Sequence, residues 1–354
     1  MKVLACAVGF GLGPAGKLCS IVCKNKYEWY ACGDELDLSI YKENPYMDFC
    51  WSKDKNVLKA FVEKHGIKYA IDVLDPEMAI FLTSIGLQVI YIDSLPFMWT
   101  KSDIIPYNVA YYCAQKYPGY SLNPILKNVK NLIWVDPIII TVENRKTTND
   151  YIVINFGGLH SPFGDGREYF EMILKTLLPL LPLGDVFISG GKSVVELTKE
   201  LFPELSCRTY IHEDFLRLVS GAKLFFTSPG LTAIYETSGM DIKTIILPPQ
   251  NLSQFYNVLL AQKICREINI LDWNRENLNM NYLTRFKDRP EEETVTYIYE
   301  QIKNLSKNIQ YLEKFSHDVS NIMQNKFTVN SNIYFEGNGV KDVSKILHKI
   351  MEEI

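Results

Sequence analysis

Three polar features follow one another between Cys207 and Gln262, and in that order they suit a ligand made of phosphate, ribose and sugar. The apolar run Leu224–Thr227 delivers Ser228-Pro229-Gly230 to Leu231 and Thr232, where a helix should begin. Backbone N–H groups at a helix start, joined by the Thr232 hydroxyl, can hold a diphosphate without a large basic patch. Glu236 lies six residues after Gly230. That is more than one turn into the helix, where a carboxylate can accept from two neighbouring ribose hydroxyls. Further on, Ser253 and Gln254 offer a hydroxyl and an amide to the hydroxyls of a sugar.

A second candidate loop lies near the start. Gly11-x-Gly13-x-x-Gly16 follows an apolar run and opens a helix, and Asp34 falls 18 residues after Gly16. This pattern fits a dinucleotide fingerprint. It fits equally a tight turn that packs strand on helix, so it does not decide the function. The stretch Tyr91-Ile92-Asp93-Ser94-Leu95-Pro96-Phe97-Met98-Trp99 combines a carboxylate at a strand end with two aromatic rings able to stack on a flat molecule. Asp93 reads either as a proton acceptor or as a cap, with Asp72 and Asp75 as second choices. His212 is a lesser candidate for a base or a phosphate contact, whereas His65, His317 and His348 sit in Lys-rich helical contexts that read as surface.

These residues need a scaffold of alternating strands and helices. Val3–Val8, Glu28–Cys32, Tyr69–Val73, Gln88–Ile92 and Leu132–Ile140 read as strands. Helices are expected at Pro14–Lys24, Asn56–His65, Met78–Ile85 and Tyr107–Lys116. The polar stretch Glu143–Asp150 interrupts the alternation and reads as a linker. The pattern then restarts with strands at Tyr151–Phe156, Asp185–Ser189, Lys223–Thr227 and Thr244–Leu247. Helices are expected at Arg167–Leu178, Ser193–Leu201, Phe215–Ser220, Thr232–Ser238 and Gln254–Ile268. Beyond residue 290 the chain reads as helical, at Glu291–Ile309 and Asp342–Glu353. The expectation is an α/β protein of two tandem doubly wound domains, 1–145 and 146–335, with 336–354 a helix returning to the first. A ligand would then sit in a cleft between the carboxyl ends of their strands.

The totals agree with a two-domain globular enzyme. The chain has 354 residues, 47% hydrophobic and 22% charged, with a formal charge of −4. That charge, without a basic arm, argues against nucleic acid as a partner. No run approaches the ~18 apolar residues of a membrane span, and the opening Met-Lys-Val-Leu-Ala-Cys-Ala-Val-Gly reads better as a buried strand than as an export signal. The eight cysteines include no Cys-x-x-Cys pair, and no histidine cluster completes a metal site. Reduced thiols in a cytoplasmic protein are expected.

The stretch from Gly190 to Asn257 resembles the donor-binding half of GT-B glycosyltransferases, the group that includes the lipid-linked N-acetylglucosaminyltransferase of peptidoglycan synthesis and the UDP-glucuronosyl and natural-product transferases. The spacing of Gly230 to Glu236 matches theirs, as do Pro249, Gln254 and Asn257. The resemblance implies a UDP-sugar donor, no cofactor and no metal. It places the nucleobase near Ile211 and the phosphates near Gly158, Gly191, Lys192, Ser228, Gly230, Leu231 and Thr232, with the ribose on Glu236 and the sugar on Ser253 and Gln254. It makes Gly11, Leu12 and Gly13 a loop beside phosphate and acceptor. Two departures stand out. Ser228 replaces a basic residue, which shifts phosphate neutralisation to His160 or Lys192, and Ser253 replaces an aspartate. These families carry a base in the first glycine loop, where this chain has no histidine. Asp93 is the substitute, with Phe97 and Trp99 against the acceptor. The Asp93 stretch also resembles the cytosylglucuronate synthases of nucleoside-antibiotic pathways. The reading is an inverting transfer to a small-molecule acceptor, with a homodimer left open. Its alternatives are a UDP-sugar epimerase or hydrolase of the same fold, and a non-catalytic binding subunit. A dehydrogenase would explain the first loop but leave Gly230–Asn257 unexplained.

Overall fold

The computed structural model describes residues 1–9, 12–33, 46–52, 54–119, 123–140, 149–161, 164–181, 185–329 and 338–352. Gly11, Asp34 and the greater part of the expected linker lie outside the described residues. The chain forms two compact units, Met1–Ile140 with Glu336–Ile354, and Thr141–Phe335.

The first unit runs β1 (Lys2–Ala7), α1 (Gly13–Lys24), β2 (Glu28–Cys32), β3 (Tyr46–Cys50), α2 (Lys55–His65), β4 (Tyr69–Val73), α3 (Pro76–Ser84), β5 (Gln88–Asp93), β6 (Tyr111–Gln115) and β7 (Leu132–Val135). All neighbours pair in parallel, in the order β3-β2-β1-β4-β5-β6-β7. Alternate residues of β1 enter opposite cores: Val3, Ala5 and Ala7 on one face, Leu4 and Cys6 on the other. Burial on both faces explains why such strands are nearly continuous apolar runs.

In the second unit β8 (Tyr151–Asn155) is followed by the short hairpin β9 (His160–Ser161) and β10 (Gly164–Asp165). Next come α4 (Arg167–Leu177), β11 (Asp185–Ser189), α5 (Lys192–Leu201), β12 (Ser206–Arg208), α6 (His212–Ser220), β13 (Leu224–Thr227), α7 (Leu231–Ser238), β14 (Thr244–Ile246), α8 (Leu252–Ile264) and β15 (Glu267–Ile270). The helices α9 (Met280–Leu283), α10 (Glu291–Leu305) and α11 (Ile309–Gln324) precede β16 (Thr328–Val329). The sheet order is β12-β11-β8-β13-β14-β15-β16, parallel except for the β15–β16 pair. The last helix, α12 (Gly339–Glu352), belongs to the first unit. Its Asp342 Oδ2 accepts from Asp136 N at 3.2 Å, and Asn25 Nδ2 on the segment after α1 donates to Ser344 Oγ at 2.9 Å.

Four expectations change. Tyr107–Lys116 contains a strand rather than a helix, because Tyr112 and Ala114 enter one core and Cys113 the opposite one. Only a period of two does that. The strand expected over Leu132–Ile140 ends at Val135: Pro137 carries no N–H for a ladder, and Ile138 N donates instead to Gln115 Oε1 at 3.2 Å. The helix expected to reach Ile268 stops at Ile264, and Ile268 lies in β15. The helix expected to reach Ile309 ends at Leu305, and a further helix begins at Ile309.

Candidate functional site

Each sheet reverses its strand order once: between β1 and β4 in the first unit, and between β8 and β13 in the second. Connections leave such a point in opposite directions, so the carboxyl ends of the two strands frame a crevice where ligands bind. Both crevices carry a strained residue. Leu74, after β4, has φ 62, and Leu159, after β8, has φ 45. A β-carbon makes this left-handed region costly, by about 1–3 kcal/mol. Leu159 is held there by burial of its side chain in the core, against Gly166.

In the second unit, the loops after β8, β11 and β13 are tied together. Asn155 donates through Nδ2 to Thr227 Oγ1 at 3.1 Å, and its Oδ1 accepts from Gly157 N at 3.0 Å. Gly157 has φ 64, which glycine adopts without strain. Its carbonyl accepts from Gly191 N at 2.9 Å, and Ser228 N donates to Asn155 O at 2.8 Å. Gly191 and Gly230 are the N-caps of α5 and α7, and neither helix has a side-chain cap. Two helix starts thus meet the crevice beside Gly157 and Gly158. Lys192 is exposed on the first turn of α5, while Leu231 and Thr232, in the first turn of α7, are buried. The backbone of His160 belongs to the β9–β10 hairpin, and its side chain lies outside what is described.

Deeper in α7 the Glu236 side chain is only 1% exposed, and its Oε1 meets His212 Nε2 at 2.6 Å. A buried carboxylate needs such a partner, since desolvation of an unpaired charge is costly. His212 is the first residue of α6, and the preceding Ile211, its N-cap, is 40% exposed. Ser228 is buried, with Gln250 Nε2 3.5 Å from its Oγ. The loop before α8 is held by its carbonyls: Tyr169 Oη donates to Pro248 O at 2.9 Å and Trp273 Nε1 to Pro249 O at 2.7 Å. Asn257 Nδ2 donates to Pro229 O at 2.9 Å, which ties α8 to the Gly230 turn. Gln254 Oε1 accepts from Gln250 N at 2.8 Å, and Ser253 Oγ donates to Asn251 Oδ1 at 2.8 Å. The Gln254 amide nitrogen and the Ser253 oxygen lone pairs are not used by these two bonds.

The first unit differs. Leu12 is the N-cap of α1 and Gly13 its first residue. Asp93 is fully buried: Oδ1 accepts from Leu95 N at 2.9 Å, and Oδ2 accepts from Trp99 Nε1 at 2.6 Å and Tyr112 Oη at 2.7 Å. Burial pushes its carboxyl up to about 6, against the three donors, which pull it down. Phe97 is buried with its ring 4.4 Å from that of Tyr117. Asn123 Nδ2 bonds the Trp99 carbonyl. Of the three residues expected at the acceptor, Trp99 donates to Asp93 and Phe97 packs on Tyr117. An indole and a phenol from its own unit donate to one carboxylate oxygen, and a backbone amide donates to the other.

Sequence reasoning gave His212 a small part and did not pair it with Glu236. Lys17, buried on α1 between Ala15 and Leu18, is likewise not singled out. A lysine between such residues was the available signal. Among the described residues no group of three or more His, Cys, Asp or Glu side chains is placed to hold a metal, and no helix is long and apolar enough to cross a membrane.

No protein-family model and no curated protein matches the chain. Solved structures do resemble it in fold. S. aureus MnaA, solved with UDP, superposes with a TM-score of 0.55 at 11% identity, over 100% of this chain and 98% of that one. UDP-GlcNAc 2-epimerase from Neisseria meningitidis, bound to UDP-GlcNAc, gives 0.52 at 14% identity, over 99% and 100%. The Methanocaldococcus jannaschii UDP-GlcNAc 2-epimerase, in complex with UDP-GlcNAc and UDP, gives 0.50 at 11% identity, over 99% and 100%. The chain has an α/β fold of the GT-B type.

Proposed function

We propose that the chain is an enzyme that binds a uridine diphosphate sugar in its second unit and transfers the sugar to a small acceptor with inversion. The observation that carries this reading is the arrangement at the β8–β13 reversal. Two uncapped helix starts, at Gly191 and Gly230, border one crevice, and a buried carboxylate, Glu236, lies further along the second helix. Helix starts suit the diphosphate, and Glu236 suits the ribose hydroxyls. Lys192 supplies positive charge, Ile211 borders the base, and the remaining polar atoms of Ser253 and Gln254 meet the sugar. UDP and UDP-GlcNAc in structures of like fold support the choice of nucleotide.

A second reading, epimerisation or hydrolysis of the same donor, is favoured by the epimerases among those structures. One experiment separates the two. The protein is titrated with UDP, CDP and UDP-sugars in a calorimeter, then the tightest donor is followed by NMR with and without a panel of small acceptors. UDP release only when an acceptor is present supports transfer. Change of the donor without acceptor supports the second reading, and failure to bind any nucleotide removes both. Two bonds to a charged acceptor are worth roughly 2–4 kcal/mol. Glu236→Ala should therefore weaken UDP binding by ~30-fold or more.

A further inference from the structure

The segment that leads into α6 is anchored at two points. Thr209 Oγ1 donates to Gly190 O at 2.7 Å, and three residues later His212 Nε2 meets Glu236 Oε1 at 2.6 Å. Between them lies exposed Ile211, whose carbonyl accepts from Phe215 N at 2.9 Å and so starts the helix. The His212 ring is 14% exposed and the Glu236 side chain 1%. This contact joins residues 24 apart in sequence and links α6 to α7. A carboxylate on an ethylene arm has several rotamers, and a ligand that needs one of them must otherwise order it on binding.

We infer that His212 is a positioning residue for ribose recognition. Its bond to Oε1 holds the Glu236 carboxylate in one orientation before the nucleotide arrives, and the same bond fixes the neighbouring Ile211 segment. A carboxylate offers about four acceptor sites. Two adjacent ribose hydroxyls can therefore donate to Glu236 while His212 keeps its place. The inference rests on the reading of Glu236 as the ribose acceptor. It adds that the ability to tell ribose from deoxyribose resides in the pair and not in Glu236 alone.

The test compares UDP with 2′-deoxy-UDP by calorimetry on the whole chain, for the wild type and for His212→Ala, His212→Gln, His212→Asn and Glu236→Ala, each with a thermal melt as a check of folding. His212→Ala should weaken UDP by ~10-fold, the worth of one bond to a charged group, and 2′-deoxy-UDP by less than ~3-fold. Glutamine places an amide nitrogen close to where histidine carries Nε2, so His212→Gln should restore UDP affinity to within ~3-fold, and the shorter His212→Asn should not. The double variant His212→Ala/Glu236→Ala should bind UDP no more weakly than Glu236→Ala, because the two act as one unit. Equal losses for both nucleotides in His212→Ala, or no loss while Glu236→Ala abolishes the discrimination, overturn the inference and leave the ribose reading standing. An unchanged preference for UDP in Glu236→Ala overturns the ribose reading itself. If His212→Ala does not fold, the glutamine and asparagine variants decide: equal UDP affinities in those two also overturn the inference.

Discussion

Asp93, the last residue of β5 in the first unit, and Glu236, in the second turn of α7 in the second, are both buried carboxylates, and they are satisfied in different ways. Around Asp93 an indole, a phenol and a backbone amide all donate. Around Glu236 the one hydrogen bond described is to the His212 ring. A carboxylate enclosed by three donors from its own core acts as a fastener for the loop Leu95–Trp99. One held at a single oxygen by the tip of a neighbouring helix retains acceptor capacity that a ligand can use. Burial alone therefore does not separate the two carboxylates, whereas the number and origin of their donors do.

The sharpest way to break this comparison is Asp93→Ala. It leaves Trp99 Nε1, Tyr112 Oη and Leu95 N without their acceptor. Each orphaned buried donor costs about 1–3 kcal/mol, and with partial relaxation the sum is about 3–5 kcal/mol. Scanning calorimetry should show a transition lowered by on the order of 10 °C, with UDP affinity preserved when measured well below that transition. The milder Asp93→Asn separates fastening from chemistry. A variant that melts like the wild type yet loses transfer by ~100-fold or more would return Asp93 to the role of general base.

A second effect follows from protonation. Burial raises the Asp93 carboxyl from 3.8 to about 6. The folded protein therefore binds this proton more tightly than the unfolded chain. The associated stability is fully present below pH ~4, is lost as the pH rises through ~6 and changes no further above that. The shift of roughly two units corresponds to about 3 kcal/mol. Between pH 7 and pH 4 the wild type should thus gain up to about 3 kcal/mol relative to Asp93→Asn, whose amide does not titrate. Urea denaturation of both proteins across that range measures the difference. Parallel profiles would mean that Asp93 is hydrated in solution and that the contrast with Glu236 is weaker than the structure indicates.

How much of this was legible beforehand depended on distance along the chain. Glu28–Cys32, Tyr69–Val73 and Asp185–Ser189 are strands over the residues expected. Short edge strands such as Tyr46–Cys50 and Ser206–Arg208 went unread, since an edge strand needs neither burial on both faces nor a long apolar run. Glu236 stood out because its spacing from Gly230 lies within one loop and helix. His212 did not, because it meets Glu236 only once α6 and α7 have packed. The enclosure of Asp93 is hidden for the same reason: Trp99 reads as a ring able to stack on a ligand, and Tyr112 falls in an expected helix. Sequence spacing shows which groups share an element, and the donors that complete a buried carboxylate come from other elements.

The smallest expected effect on stability is at Gly230, which probes the open side of the comparison. At Gly190, after β11, an added β-carbon would come within 2.6 Å of the Val194 side chain, so that glycine serves packing. At Gly230 the nearest atom to an added β-carbon is Ser228 O at 4.0 Å, and the backbone, at φ −71 and ψ 131, is one that alanine adopts freely. Gly230→Ala removes some freedom from the unfolded chain and loses some of the N-cap preference for glycine, terms of similar size and opposite sign. Its stability should lie within about 0.5 kcal/mol of the wild type. The methyl group would nonetheless stand at the helix start where a diphosphate would approach the N–H groups. A displacement there should weaken UDP by ~10-fold or more, while uridine, which has no phosphate, should change little. The decisive measurement is the ratio of UDP to uridine affinity in Gly230→Ala and in the wild type. An unchanged ratio would place the phosphates elsewhere and leave Gly230 as a turn glycine.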